Sequence, residues 1–162
     1  MSRIVAEPLA AAAFAPFGEV LEAEGPPDRI INQGLCGRFH DRATLDMLDG
    51  HAGISLFKAE PRALPLRLEM VERHPQGSQA FLPMSHDPFL VVVAPDEGGV
   101  PGAPRAFLTR PGQGINFRRG TWHGVLTPLR APGLFAVIDR IGAGPNLEEH
   151  WFEEPYLIHA TA

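Results

Sequence analysis

The 162-residue sequence holds one cysteine, Cys36. A single thiol cannot close an internal disulfide, which excludes a disulfide-stapled scaffold and suits a reducing, cytoplasmic setting. Reactivity at Cys36 would need an activating neighbour, and no base stands near it in the sequence, so it reads as an inert thiol. Long apolar runs are also missing: none approaches the roughly 18 residues of a membrane span. The N-terminal Met1–Pro8 lacks the charged-then-apolar order of a signal peptide. No membrane is therefore expected as a partner. The formal net charge is -5 with both signs scattered. Without a basic stripe or arm, nucleic acid is not an expected partner either. No linker and no repeat divides the chain, so residues 1–162 are expected to form one domain, long enough to bury its own core.

What is abundant is punctuation. There are 17 glycines and 17 prolines, above the average usage of about 7% and 5%. They fall between short apolar runs and so read as turns. Many turns with few long periodic segments predict an all-β domain with a few short helices. The helices expected are Pro8–Phe14, and a second begun by Asp41 and running through Asp49 to a stop at Gly50. Strands are expected at Glu19–Glu22, Ile30–Asn32, Ile54–Glu60, Leu66–His74, Ser78–Pro83, Phe89–Ala94, Arg105–Thr109, Gly114–Phe117, His123–Thr127 and Leu134–Arg140. Residues 143–162 read as an irregular, acidic C-terminal tail packed on the outside or on another subunit. A small β-barrel or jelly roll closes such strands while shortening exposed edges. Its mouth is a natural place for a small ligand.

The run Leu66-Arg67-Leu68-Glu69-Met70-Val71-Glu72-Arg73-His74 carries the chemistry. Strand side chains alternate with period two, so Leu66, Leu68, Met70, Glu72 and His74 share one face. That face starts apolar and is expected to be buried, which turns a carboxylate and an imidazole inward. A buried charge costs several kcal/mol unless it is paired, hydrogen-bonded or metal-bound. Gln79 shares a face with Phe81 and joins this inward set. His123, at the start of a later strand, is the fourth member. A carboxylate, two imidazoles and an amide oxygen suit a borderline divalent metal such as Ni, Mn, Fe or Zn. The same groups also suit a metal-free barrel that hydrogen-bonds its substrate directly, or a satisfied polar core cluster.

Glu72-x-His74-x4-Gln79 resembles the first cupin motif, with Glu for the first His and Gln for the usual Glu. Gly112, five residues, then Arg118-x-Gly120-x-x-His123 resembles the second, with Arg118 in place of Pro. Most of the chain, from Phe14-Ala-Pro-Phe-Gly-Glu-Val20 to Ile138-Asp-Arg-Ile-Gly142, is similar to the ureidoglycolate lyases. The segment Glu72-Arg-His-Pro-Gln-Gly-Ser-Gln-Ala-Phe-Leu-Pro-Met84 is the specific one. Ile31–Leu35, Arg38–Asp41, Phe89–Ala94, Arg105–Phe107, Gln113–Asn116, Trp122-His123 and Ile138–Arg140 support it. The resemblance implies a cupin-like barrel, usually a homodimer, that splits (S)-ureidoglycolate into glyoxylate and urea in allantoin degradation. It also implies nickel or a similar divalent ion, and no organic cofactor. One departure stands out: the family tends to carry His-His-Pro after the Trp, whereas His123 is followed here by Gly124-Val125.

Ureidoglycolate is a hemiaminal, and its collapse needs a base for the hydroxyl, an acid for the departing nitrogen and a cation for the carboxylate. Glu72 is the candidate base or a metal ligand; His74 and His123 are candidate acids or ligands; Gln79 is a ligand or a ureido contact. Asn32, Asn116 and Gln113 offer amides that match the flat ureido end. The carboxylate asks for an arginine fork. Arg38 serves as that fork or as a structural partner of Asp41; Arg140, facing with Leu134, Ala136 and Ile138, serves as the fork or in an interior salt bridge. Arg73 alternates outward and reads as a surface charge. His40, beside Asp41, is an oriented imidazole or a packed one. Trp122 is expected to pack at the rim. Two other functions fit the same barrel: an isomerase or epimerase of a small hydroxy acid or sugar, and a non-catalytic sensor of a small acid such as glyoxylate.

Overall fold

The computed structural model describes residues 1–160. In chain order, β1 (Ser2–Val5) and β2 (Glu7–Pro8) precede the only helix among the described residues, α1 (Ala11–Phe14). Next come β3 (Gly18–Leu21), β4 (Arg29–Ile31), β5 (Cys36–Arg38), β6 (His51–Ala59), β7 (Leu66–Arg73), β8 (Gln79–Pro83) and β9 (Phe89–Ala94). The second half holds β10 (Asp96–Glu97), β11 (Val100–Pro101), β12 (Arg105–Leu108), β13 (Gly114–Phe117), β14 (Trp122–His123) and β15 (Thr127–Pro128). The last two strands are β16 (Gly133–Ile141) and β17 (Glu148–His159). The all-β expectation holds.

Two sheets make the barrel. The larger has eight strands, in the order β1-β17-β7-β14-β9-β12-β2 with β15 also on β9; the smaller runs β3-β13-β8-β16-β6. Their inner faces meet on a phenylalanine-rich core: Phe89, Val91, Val93 and Phe107 from one, Phe81, Ile115, Phe117, Phe135 and Val137 from the other. Phe14 of α1 and the following Phe17 plug one end. Phe14 meets Phe107 edge-on at 5.9 Å, the arrangement that ring quadrupoles favour. β9, the continuous apolar run, is buried on both faces. Leu90, Val92 and Ala94 join a second cluster with Leu68, Val71, Trp122 and Ile158 on the other side of the large sheet.

Three expectations fail. The C-terminal tail is not irregular: β17 is a twelve-residue strand, parallel to β1 and antiparallel to β7. Its ladder skips between Trp151 and Tyr156, and the interruption holds Glu153, Glu154 and Pro155, where a proline need not donate to the ladder. That interruption hides the strand from a search for clean alternation. The helix expected at Asp41–Asp49 is an extended strap. It crosses the outer face of the small sheet strand by strand. Thr44 meets Glu19 of β3 and Asn116 of β13; Asp46 meets Ser78 just before β8; Met47 and Asp49 meet Arg140 of β16. These side-chain and carbonyl bonds replace a helix ladder. The expected strand His123–Thr127 is broken into β14 and β15, both on β9, with residues 124–126 leaving the ladder between them.

Candidate active site

β14 is only two residues long, yet it sits between β7 and β9 and sets His123 directly opposite Glu72 and Val93. His74 follows β7 immediately. Ligand atoms of Glu72, His74 and His123 all lie within 4.8 Å of one another. The two imidazole rings are 5.2 Å apart. Phe117 stacks flat on His123 at 4.3 Å with the planes 6° apart, which fixes the imidazole plane from below.

Hydrogen bonding decides which nitrogen of each ring is free. His74 Nδ1 lies 2.8 Å from the carbonyl of Asn146, and His123 Nδ1 lies 2.9 Å from the carbonyl of Gly124. A carbonyl only accepts, so both Nδ1 atoms carry a proton, and in the neutral form of either ring the lone pair lies on Nε2. Both Nε2 atoms are buried and have no partner. Gln79 adds a third bare acceptor: its Nε2 donates to Asp139 Oδ2 at 3.1 Å, and its buried Oε1 has no partner. Such groups are unusual in a folded interior and ask for a ligand.

Burial pushes the Glu72 carboxyl above its ordinary range; His74 draws it back and Glu149, opposite it on β17, adds to the rise. Burial, with the nearby His74, pushes His123 down to about 3, against the pull of the Gly124 carbonyl. His123 is therefore a neutral imidazole near neutral pH, not a proton donor in its charged form. The site as a whole offers lone pairs and one carboxylate, a donor set that fits a divalent cation. Gly124 is tightly backed: an added Cβ would meet Val92 at 3.2 Å and Leu68 at 3.6 Å.

The other residues expected at the site lie elsewhere. Asn116 is fully buried but belongs to the outer face of β13, where its amide donates to Glu19 and to the Thr44 carbonyl. Ile115 and Phe117, its neighbours of opposite parity, hold the inner face. Arg140 is likewise outward: Phe135, Val137 and Asp139 face in, and Arg140 ties down the strap through Met47 and Asp49 and the following turn through Ala143. It is engaged in structure rather than free as a fork, and its salt-bridge partner Asp49 is exposed, so the expected bridge is not an interior one. Gln113 bonds Arg110, Leu9 and Glu22 and is fully engaged. Asn32, Arg38 and His40 belong to the exposed β4–β5 hairpin and its exit and, among the described residues, make no hydrogen bond to the cluster. Arg38 and Asp41 do not pair; Asp28 instead holds Arg42 at 2.7 Å and the backbone of His40. Arg73 is no free surface charge: it bridges Asp96 and Glu148 and lies 4.4 Å over the buried Trp122. Sequence reasoning misses Asp139 and Asn146. The inward alternation Phe135-x-Val137-x-Asp139 is the available signal for the first; nothing local marks the second.

Comparison with known proteins fits this geometry. A family profile described as Ureidoglycolate lyase matches residues 1–159. The chain belongs to the ureidoglycolate lyase family. A ureidoglycolate lyase of Rhodobacter capsulatus is 60% identical over 159 residues, 98% of this chain and 99% of the relative. One from Chelativorans is 55% identical over 161 residues, 98% of each chain. Ureidoglycolate lyase 2 of Rhizobium meliloti is 56% identical over 153 residues, 93% of this chain and 94% of that protein. With near-complete coverage on both sides, membership in the ureidoglycolate lyase family extends over the whole barrel, including both halves of the cluster.

Proposed function

We propose that this protein is a lyase that cleaves (S)-ureidoglycolate to glyoxylate and urea, with Glu72, His74 and His123 as its reacting centre. The observation that carries the site is the convergence of these three groups within 4.8 Å, with both Nε2 atoms bare, in a chain of this family. The reaction moves one proton from the hydroxyl oxygen to the ureido nitrogen while the C–N bond breaks and a C=O bond forms. A group that must both take and return that proton works best with a pKa near the working pH. Glu72 is raised in that direction by burial, so it is assigned the proton transfer. With no ion bound, His74, its tautomer set by Asn146, accepts from a ureido N–H and orients it. His123 stays neutral and serves as a fixed acceptor. Gln79 Oε1 accepts from a ureido N–H or supplies a fourth oxygen or nitrogen donor to a cation.

Glu72, His74, His123 and Gln79 are the residues that would hold a divalent ion, and nickel is the ion we assign. Bound there, it would supply Lewis acidity to the hydroxyl and charge for the carboxylate. Asn32, Arg38 and His40, on an exposed hairpin, remain proposed contacts for the substrate's polar ends. A second copy of the chain is the proposed protein partner. The outer face of β6 supports this: Ile54 and Leu56 are 76% and 66% exposed beside Ile138 and Ala136 of β16. No helix among the described residues is long and apolar enough to cross a membrane. The free thiol of Cys36 suits a cytoplasmic protein.

The test is a coupled assay for glyoxylate and urea on racemic ureidoglycolate, with metal analysis of protein purified without chelator. Urea and glyoxylate in equal amounts from one enantiomer are expected. Release of ammonia in place of urea, or no turnover with added Ni or Mn, overturns the assignment.

A further inference from the structure

Asp139 stands on the inner face of β16, opposite Gln79 of β8. Gln79 is in turn opposite Phe117 of β13, the ring that stacks on His123. Among the described residues, the only hydrogen bond of the Gln79 side chain is from Nε2 to Asp139 Oδ2, at 3.1 Å. A carboxylate in its charged form accepts and cannot donate, so it tolerates one sense of the amide only. The reversed amide would set carbonyl oxygen against carboxylate oxygen and turn N–H groups toward the cluster. In the sense observed, Oε1 is turned away from Asp139, buried and without a partner.

We infer that Asp139 is a positioning residue that keeps Gln79 presenting its carbonyl oxygen, rather than its NH2, to the Glu72–His74–His123 cavity. The consequence rests on the proposed reading of that site. Two imidazole lone pairs and a carboxylate already favour an electropositive ligand there, and an amide NH2 among them would repel a cation. Asp139 thus governs the sign of the fourth group without touching the ligand. Partners that orient a ligating side chain are typically worth about 10–100-fold in metal affinity or activity.

The experiment compares Asp139→Asn and Asp139→Ala with the parent, using Mn2+ titration calorimetry as the probe. In D139N the new amide can donate to Gln79 Oε1 and hold the reversed sense; in D139A the amide is free to turn either way. Mn2+ affinity should therefore fall further in D139N, by about 10–100-fold, than in D139A, although alanine deletes more contacts. The double variant D139N/Q79E should recover most of the loss, because the amide introduced by D139N donates to one carboxylate oxygen and leaves the other for the cavity. A merely structural Asp139 predicts the opposite order and no recovery, and either result overturns the inference, as does D139N binding Mn2+ like the parent while its near-UV circular dichroism is unchanged. Nuclear magnetic resonance of the Gln79 side-chain amide separates this from the proposed function. Slowed amide exchange in the parent that becomes fast in D139A supports the role of Asp139 even if the parent binds no Mn2+ and releases no urea, in which case the reading of the site fails alone. Exchange that D139A leaves unaltered overturns it.

Discussion

The two faces of the small sheet place different chemistry on adjacent residues. Gln79, Phe117 and Asp139 face the barrel; Ser78, Asn116 and Arg140, each one position away, face the strap. The outer set is engaged in structure. Ser78 holds Asp46 through both its backbone and its hydroxyl, and Arg140 donates to three acceptors with its side chain only 2% exposed. On the inner face Gln79 Oε1 has no partner; on the outer face Asn116 Oδ1 also lacks one, although its amide nitrogen makes two bonds. A polar residue being buried, or holding one bare oxygen, therefore says little about function by itself; what separates the two faces is that Gln79 stands beside the ring stacked on His123, whereas Asn116 and Arg140 bind the strap. The outer polar groups do the work of a helix ladder for a strap that has none.

This contrast predicts a division of effects. On the inner side, Glu72→Gln should lower the rate of glyoxylate release by about 10²–10⁴-fold, the usual worth of an acid–base group. Its Tm should not fall, because a buried carboxylate without an ion pair is replaced by a neutral isostere. A falling Tm together with near-normal rates would make Glu72 structural and erase the distinction. On the outer side, Arg140→Met should do the reverse. Loss of three bonds, at about 0.5–1.5 kcal/mol each net of solvation, should lower stability by roughly 2–4 kcal/mol in urea unfolding. The folded fraction should keep its KM. A raised KM for the carboxylate substrate at unchanged stability would restore Arg140 as the fork.

Ser78→Ala is expected to cost about 1 kcal/mol, since the hydroxyl's bond from the Asp46 amide and its long bond to the Asp46 carbonyl are lost while the backbone bond to Asp46 remains. The smallest effect concerns acid. Arg140 donates to Asp49 and holds its carboxyl below the ordinary aspartate range. A depressed folded pKa gives stability that is present above about pH 4, the unfolded value, and fades as pH falls through the folded one. Asp49→Asn should therefore narrow the Tm difference from the parent below about pH 4 and show its full, small deficit above it. Asp49 is exposed, so solvent screens the pair. A Tm difference that widens with acid would contradict the assignment of Asp49 as the charged partner.

Much of the cluster was legible because its elements are local. Glu72 and His74 share a face by period-two alternation, although Leu68, whose burial suggested that this face is interior, packs with Val71 in the cluster across the large sheet; Gln79 follows from its shared parity with Phe81. His123 followed from spacing that resembles the cupin motifs, and that same spacing survives in the ladder pair His123–Glu72. The failures are of one kind. In Leu134–Arg140 both parities are apolar, so alternation fixes the pairing of Asp139 with Val137 but not which parity faces in. Phe135 and Val137 took the interior, and Arg140 went out with Leu134, Ala136 and Ile138. Asp41–Asp49 carries a cap and a stop, the local signals of a helix, yet its carbonyls and amides found partners on three strands and on Ser78 just before a fourth. β17 was masked by the Glu153-Glu154-Pro155 interruption.

By itself, then, the sequence settled composition-level and strand-level matters: an all-β chain, the central apolar strand Phe89–Ala94, and the common face of Glu72 and His74. These depend on residues within a few positions of one another, where backbone geometry imposes the period. Only the tertiary structure decided which face was interior, that Asn146 and Gly124 carbonyls leave both Nε2 atoms bare, and that Asp139 turns the amide of Gln79. Those outcomes depend on pairings between residues far apart in the chain. Backbone periodicity carries no information about which partner arrives.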